Sequence, residues 1–330
     1  MGPRQLVSVF FGGGTPSLMD PAFVGRIIDQ ATGLWGRAEQ LEVTLEANPT
    51  DAEAGRFEGF AAAGVNRLSL GLQALNDADL SFLGRNHDAA EALRAARVAS
   101  RFFPRLSVDL IYARPGQTPG SWAAELSCAL DLGAEHISPY QLTIEPGTAF
   151  ERARARGRFR SPDESLAAEL YETTQTVLEA AGFDAYEVSN HARGPGARSR
   201  HNLVYWRGED YVGVGPGAHG RITQNGVRHA TAASARPADY VSTVSRRGVG
   251  WAEAEPLDAQ SAAEERLLMG LRIDEGIAFG EVAALGLSPD LPRLVELVEL
   301  GLLSPDQGRL RATRQGRLVL DHVTRLLITG

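Results

Sequence analysis

The chain has 330 residues, 43 % of them hydrophobic and 22 % charged, with a formal net charge of −8; this exceeds one average domain and predicts a large N-terminal domain and a smaller C-terminal one. The acidic balance argues against broad nucleic-acid binding; no apolar run approaches the roughly 20 residues of a membrane span, and Met1 to Val9 lacks a secretion signal, so a cytoplasmic chain is expected. All 33 cationic residues are Arg, which excludes a Schiff-base or Walker-A lysine, and the single cysteine, Cys128, excludes intrachain disulfides and any all-cysteine metal site.

Runs rich in Val, Ile and Leu at Leu6 to Phe11, Leu41 to Leu45, Arg67 to Leu72, Leu106 to Tyr112 and His136 to Leu142 predict buried parallel strands. Between them helical periodicity covers Pro21 to Trp35, Glu53 to Ala63, Ala89 to Arg101 and Gly120 to Leu132, and Asp20 before Pro21 is an N-cap and first-turn pair. Repeated βα units with right-handed crossovers curl into a barrel or an open sheet. A helix over Pro162 to Ala181 and a strand at Tyr186 to Ser189 extend this α/β region. The Gly, Pro and Arg-rich loop Ala192 to Arg200 marks its edge. From about Leu257 three short helices, a hairpin over Leu302 to Ala312 around Pro305 to Gly308, and a helix to about Leu327 suggest a winged-helix-like α+β module. Residues 257–330 hold 8 Arg against 11 acidic residues, so a packing or lid role is favoured over DNA reading.

In parallel barrels the chemistry sits at the C-terminal ends of the strands. Here the first strand ends in Gly12, Gly13, Gly14, Thr15, Pro16, the second in Glu46, Ala47, Asn48, Pro49, and the third in Gly71, Leu72, Gln73. The fourth carries Asp109 and Tyr112, and the fifth Gln141, Thr143 and Glu145. Three glycines after a strand let backbone N–H groups approach a ligand, although alone they equally describe a tight strand-to-helix turn. The ring of amides and carboxylates points to a small-molecule site.

Five blocks, Phe10 to Ser17, Leu45 to Pro49, Asn66 to Gln73, Asp109 to Gln117 and Tyr140 to Thr148, together with His201 to Trp206 and Gly213 to His219, resemble consecutive blocks of the radical-SAM family of HemW heme chaperones and oxygen-independent coproporphyrinogen III oxidases. The resemblance covers essentially the whole chain. It implies a partial (β/α)6 barrel over residues 1–192, a connecting segment over 193–256 and a C-terminal module over 257–330. It also implies S-adenosylmethionine at Gly13, Gly14, Thr15, Glu46, Gln73, Arg85, Asp109, Thr143 and His219. Read from the residues alone, Arg85 also fits a surface ion pair and Asp109 a helix cap. The His201-Asn202-Leu203-Val204-Tyr205-Trp206 motif is associated with heme in the HemW branch, and His201 is a candidate axial ligand or a merely hydrogen-bonded turn residue. Arg152 to Arg160 and Arg193 to Arg200 either meet heme propionates or are solvated loops.

The family holds a [4Fe-4S] cluster on a Cys-x3-Cys-x2-Cys loop that precedes Phe10 by several tens of residues, whereas this chain starts five residues before the strand at Leu6. The expectation is a late-called gene start or a fragment, without radical chemistry as it stands. Cys128, at helical spacing from Trp122 and Leu126, is expected to be a buried structural thiol. The functional expectation is a heme chaperone that delivers heme to an acceptor protein; anaerobic coproporphyrinogen decarboxylation and an inactive fragment are the alternatives.

Overall fold

The computed structural model describes residues 4–306 and 308–329. The chain divides into two compact units, residues 2–201 and 202–330. In the first, strands β1 (Leu6–Phe11), β2 (Arg37–Ala47), β3 (Arg67–Gln73), β4 (Arg105–Tyr112) and β5 (His136–Gln141) pair in sequence order, all parallel. Two short antiparallel strands, β6 (Asp184–Ala185) and β7 (His191–Ala192), close the far edge, in the order β5-β7-β6. The sheet curls into an open half-barrel.

Helices α1 (Pro21–Trp35), α2 (Asp51–Ala54), α3 (Phe57–Ala62), α4 (Asp77–Phe82), α5 (Ala89–Phe102), α6 (Pro119–Leu130), α7 (Ala149–Ala155) and α8 (Glu164–Ala180) connect the strands, and α9 (Arg200–Trp206) begins as the unit ends. Their starts are written in the sequence. Asp20 caps α1 by accepting from the Ala22 N–H at 2.9 Å, with Pro21 in the first turn, and Thr118 with Ser121 forms a capping box on α6. Strand alternation then decides what each face holds. Leu41, Val43, Leu45, Leu68, Leu70, Leu106, Val108 and Ile137 face the helices and make the core with Val24, Trp122 and the alanine face of α5. The opposite, concave face carries Glu42, Thr44 and Glu46 of β2, Arg67, Ser69 and Gln73 of β3, Ser107 and Asp109 of β4, and His136 and Ser138 of β5.

Three expectations need correction. The helix predicted over Glu53 to Ala63 is broken into α2 and α3, because the Glu53 and Arg56 side chains reach back to the loops at Asn48 and at Ser17 to Met19. The strand predicted at Tyr186 to Ser189 is a turn between β6 and β7, bent by the Glu187 carboxylate accepting from the Ser189 N–H and the Asn190 amide. Cys128 is exposed: it lies two residues beyond Leu126, and at 100° per residue it falls off the stripe that buries Trp122 and Leu126.

The second unit carries an antiparallel sheet of β8 (His219–Gln224), β9 (Val227–Ala233) and β10 (Trp251–Pro256), in the order β10-β9-β8, with α10 (Pro237–Arg247) preceding β10. It continues through α11 (Ala259–Gly270), β11 (Ile277–Ala278), a 3-10 segment (Phe279–Leu285), α12 (Pro292–Glu299), and the hairpin β12 (Leu303–Asp306) and β13 (Arg309–Ala312). Short helices α13 (Arg314–Leu318) and α14 (Leu320–Thr329) follow. β13 pairs with both β11 and β12, which adds a strand to the expected hairpin; position 307 at its tip lies outside the described residues. Among the described residues no helix is long and apolar enough to cross a membrane.

Trp122 joins α6 to its neighbours: it is fully buried, donates its indole N–H to Thr174 Oγ1 of α8 at 2.8 Å, and stacks on Tyr112 of β4 at 5.5 Å. Trp122→Ala is expected to cost about 3–5 kcal/mol, measured as a lower urea midpoint by circular dichroism.

Candidate functional site

The strand-end residues meet at the C-terminal rim of the concave face. Gly13 and Gly14 have φ of 78° and 61° and nothing within 4 Å of where a Cβ would stand, so their backbone is bare. Gly12 has a different reason to be glycine: a Cβ there would meet the Phe10 ring at 2.6 Å and Glu46 Oε2 at 3.2 Å. The Gly13 N–H donates to Glu46 Oε2 at 3.3 Å, which ties the glycine loop to β2. Thr15 opens a 3-10 turn, Pro16–Leu18, that leads into α1.

Glu46 and Asp109 project from β2 and β4 into the same polar space. Burial raises the Glu46 carboxyl, and the Asp109 charge raises it further against the Gly13 N–H. Burial also raises Asp109, while hydroxyls of Ser138 and Ser69 and the Arg67 charge oppose it; Ser69 Oγ donates to both Asp109 oxygens, at 3.0 and 3.3 Å. Asp109 is bonded inside the sheet and caps no helix. Two carboxyls so placed favour an incoming cation or a shared proton.

Gln73 ends β3 with φ of 68°, and its side chain folds back over Gly71, where a Cβ would meet Nε2 at 2.7 Å. Arg85 is exposed beyond α4 and makes no ion pair among the described residues; partial burial lowers its guanidinium. Thr143 is exposed in the loop after β5. No hydrogen bond joins Arg85 or Thr143 to Glu46 or Asp109 among the described residues. His219 belongs to the second unit, where it opens β8 and is exposed. Tyr112 faces the helices instead of the concave side.

Two residues outside the expected set shape this rim. Glu53, buried, accepts from the Asn48 N–H at 2.8 Å, the Asn48 amide at 3.1 Å and the Ser17 hydroxyl, and so clips the loop after β2 to the loop after β1. Arg56 seals the same junction by donating to the Ser17 carbonyl at 2.6 Å and to the Met19 carbonyl.

His201 reaches the concave face beside Phe10, whose ring lies against Gly12. Its ring stacks on Phe10 with centroids 4.0 Å apart and an interplanar angle of 12°, and its backbone N–H donates to Glu42 Oε1 at 3.0 Å. Burial, aided by Arg67 and opposed by Glu42, holds the imidazole at about 4, so it is neutral at physiological pH. Of the nearby arginines, Arg193 lies over Phe183 at 4.5 Å, Arg198 over Tyr186 at 5.4 Å, and Arg200 donates to Gln40. Arg152, Arg154, Arg156, Arg158 and Arg160 are all exposed.

Residues 2–127 match the Radical SAM superfamily and residues 257–319 the HemN C-terminal domain. Bovine radical S-adenosyl methionine domain-containing protein 1, mitochondrial, is 42 % identical, over 99 % of this chain and 77 % of the relative. The heme chaperone HemW of Bacillus subtilis is 33 % identical, over 98 % of this chain and 85 % of the relative. The chain belongs to the HemW-like family of radical SAM proteins. A solved structure of Escherichia coli coproporphyrinogen III oxidase, HemN, described as a radical SAM enzyme, shares the fold with a TM-score of 0.78 at 20 % identity, over 99 % of this chain and 78 % of that one.

The family implies S-adenosylmethionine and a [4Fe-4S] cluster. The rim fits the former: bare Gly13 and Gly14 backbone beside two carboxyls suits a zwitterionic amino-acid group. The 330 residues do not fit the latter, since the one cysteine stands on the solvent face of α6 and no cluster of three His, Cys, Asp or Glu able to hold a metal exists among the described residues. Anaerobic reconstitution of these 330 residues is therefore expected to leave iron and acid-labile sulfide well below one cluster per chain.

Glu46 gives a second expectation. A carboxyl raised in the folded state carries a penalty that is complete above its folded pKa, shrinks as pH falls towards its unfolded value, and is absent below that. Glu46→Gln, which keeps an acceptor for the Gly13 N–H, should raise stability, and with it Tm, at pH 7. That gain should start to fall as pH reaches the raised carboxyl value and vanish only below the ordinary glutamate range, as differential scanning calorimetry from pH 7 to pH 3 will show.

Proposed function

We propose that the chain is a heme-binding and heme-delivering protein built on a radical-SAM half-barrel, with S-adenosylmethionine held at the rim. The observation that carries the cofactor assignment is the carboxyl pair Glu46 and Asp109 facing the Gly13 and Gly14 backbone. Gly13 and Gly14 leave room for close approach, Glu46 and Asp109 receive the ammonium, and Gln73 offers an amide to a polar neighbour. Thr15, Arg85 and Thr143 are assigned to the remaining polar groups of the same cofactor. Bound there, the cofactor supplies a sulfonium group beside the rim, and the residues of this chain orient it.

The heme assignment rests on His201 in the His201 to Trp206 motif and on kinship with chaperones named for heme. Its imidazole is neutral, and only the neutral ring offers a lone pair to iron. The exposed arginines from Arg152 to Arg160 suit propionates.

Isothermal titration with S-adenosylmethionine tests the first assignment. Glu46→Gln should weaken binding about 10- to 100-fold, the loss of a charge-assisted hydrogen bond of about 1.5–3 kcal/mol, while making the free protein more stable. Equal affinity in the variant sinks the assignment. For heme, the Soret band of the ferric complex should shift and weaken in His201→Ala; a spectrum and affinity unchanged from wild type would remove His201 from the heme site.

A further inference from the structure

Among the described residues Gln73 is one of three other than glycine with positive φ, and Ala113, at φ of 59°, is another. They stand just inside and just beyond the C-terminal ends of adjacent strands, β3 and β4. At Gln73 the Ala74 N–H donates to the Leu72 carbonyl at 2.8 Å, which makes a γ-turn with a positive central φ, the strained form. Such conformations persist only where the surroundings over-determine them. Neither position is a glycine, so the constraint must come from bonds.

The bonds converge on one carboxylate behind the sheet. Glu125 of α6, buried, accepts from the Leu75 N–H at 2.7 Å, two residues past Gln73. It also accepts from both ends of the Arg114 guanidinium, one residue past Ala113, with Nη1 at 3.1 Å and Nη2 closer, and from the Gln117 amide at 3.4 Å. Arg114 is 1 % exposed and reaches Asp79 of α4 at 3.3 Å as well. One helix thus gathers the chain leaving both strained strand ends. A buried ion pair is seldom better for stability than apolar packing of the same volume, so its geometry invites a reason other than stability.

We propose that Glu125 is a positioning residue for the cofactor site: by holding the chain after Gln73 and after Ala113, it keeps the Gln73 backbone left-handed and its amide turned over Gly71. The proposal rests on Gln73 belonging to the cofactor site, and its test separates the two.

Glu125→Gln, Gln73→Ala and the double variant are compared by hydrogen–deuterium exchange over residues 72–77 and 112–117, by S-adenosylmethionine affinity, and by Tm. In Glu125→Gln, exchange in both segments should rise about tenfold and affinity fall about tenfold, whereas in the Gln73→Ala background the same change should alter affinity less than about twofold. A lowered Tm with wild-type exchange and affinity, or affinity losses that simply add, overturns the proposal. If the wild-type chain binds no S-adenosylmethionine, the cofactor reading fails and the exchange data alone decide whether Glu125 holds the turns. Should Glu125→Gln not fold, the apolar pair Arg114→Met with Glu125→Leu replaces it, and wild-type exchange at 72–77 in that folded variant overturns the proposal.

Discussion

Glu42 sits on the concave face of β2 at 1 % exposure, and the half-barrel is arranged around keeping it ionised. Burial alone would raise its carboxyl; the charges of Arg67 and Arg105 and the backbone N–H groups of His201 and Arg200 outweigh that and hold it below its ordinary value. Arg105 bonds Glu42 at 2.7 Å, Glu135 at 2.8 Å and the Arg198 carbonyl at 3.0 Å. One carboxylate therefore ties β2, β3, β4 and the chain entering α9. Next to it Ser107 meets His136 Nδ1 at 2.7 Å and His136 Nε2 meets the Tyr186 hydroxyl at 2.9 Å. These mutual bonds satisfy much of the sheet's polar inner face, while among the described residues Thr44 Oγ1 and Arg67 Nε are buried without a hydrogen-bond partner. The same network delivers His201 to Phe10.

The two ends of the concave face obey opposite electrostatic rules. Around Glu42 cations and donors match the buried charge, and the result is rigid. At the rim, Glu46 and Asp109 share one polar space, Arg67 opposes the rise at Asp109 alone, and both carboxyls are raised. An arrangement that opposes folding and leaves a bare glycine backbone beside it is what a ligand site looks like before its ligand arrives. Glu53, Arg56 and Glu125 stand behind that rim, each holding loops by bonds to backbone.

Much of this was legible from residue order. The strand at Leu6 to Phe11 and the helix at Pro21 to Trp35 lie where the apolar pattern, Asp20 and Pro21 place them. The helix and hairpin order of the last 70 or so residues was likewise visible, because hydrophobic period and turn residues are local. What was not legible depends on distant partners. The Glu53 carboxylate reads as a surface charge on a helix until its bond to Asn48 is seen, and the turn after Tyr186 depends on which groups Glu187 accepts from. For Glu125 a signal did exist: it falls on the same helical stripe as Trp122, Leu126 and Ala129, and a charge on an apolar stripe asks for a buried partner. No pattern in the sequence names Arg114 as that partner.

Gly71 shows how such a site constrains sequence drift. A methyl group there would meet only the far end of the Gln73 side chain, with the nearest backbone atom, the Ala47 carbonyl, at 3.7 Å. The fold would tolerate alanine; the amide would not keep its place. Positions 71 and 73 therefore form one heritable unit, in which a larger residue at the first is acceptable only after the second has given up its role. Descendants that abandon the rim should be recognisable by the loss of both residues together, with the strand itself intact.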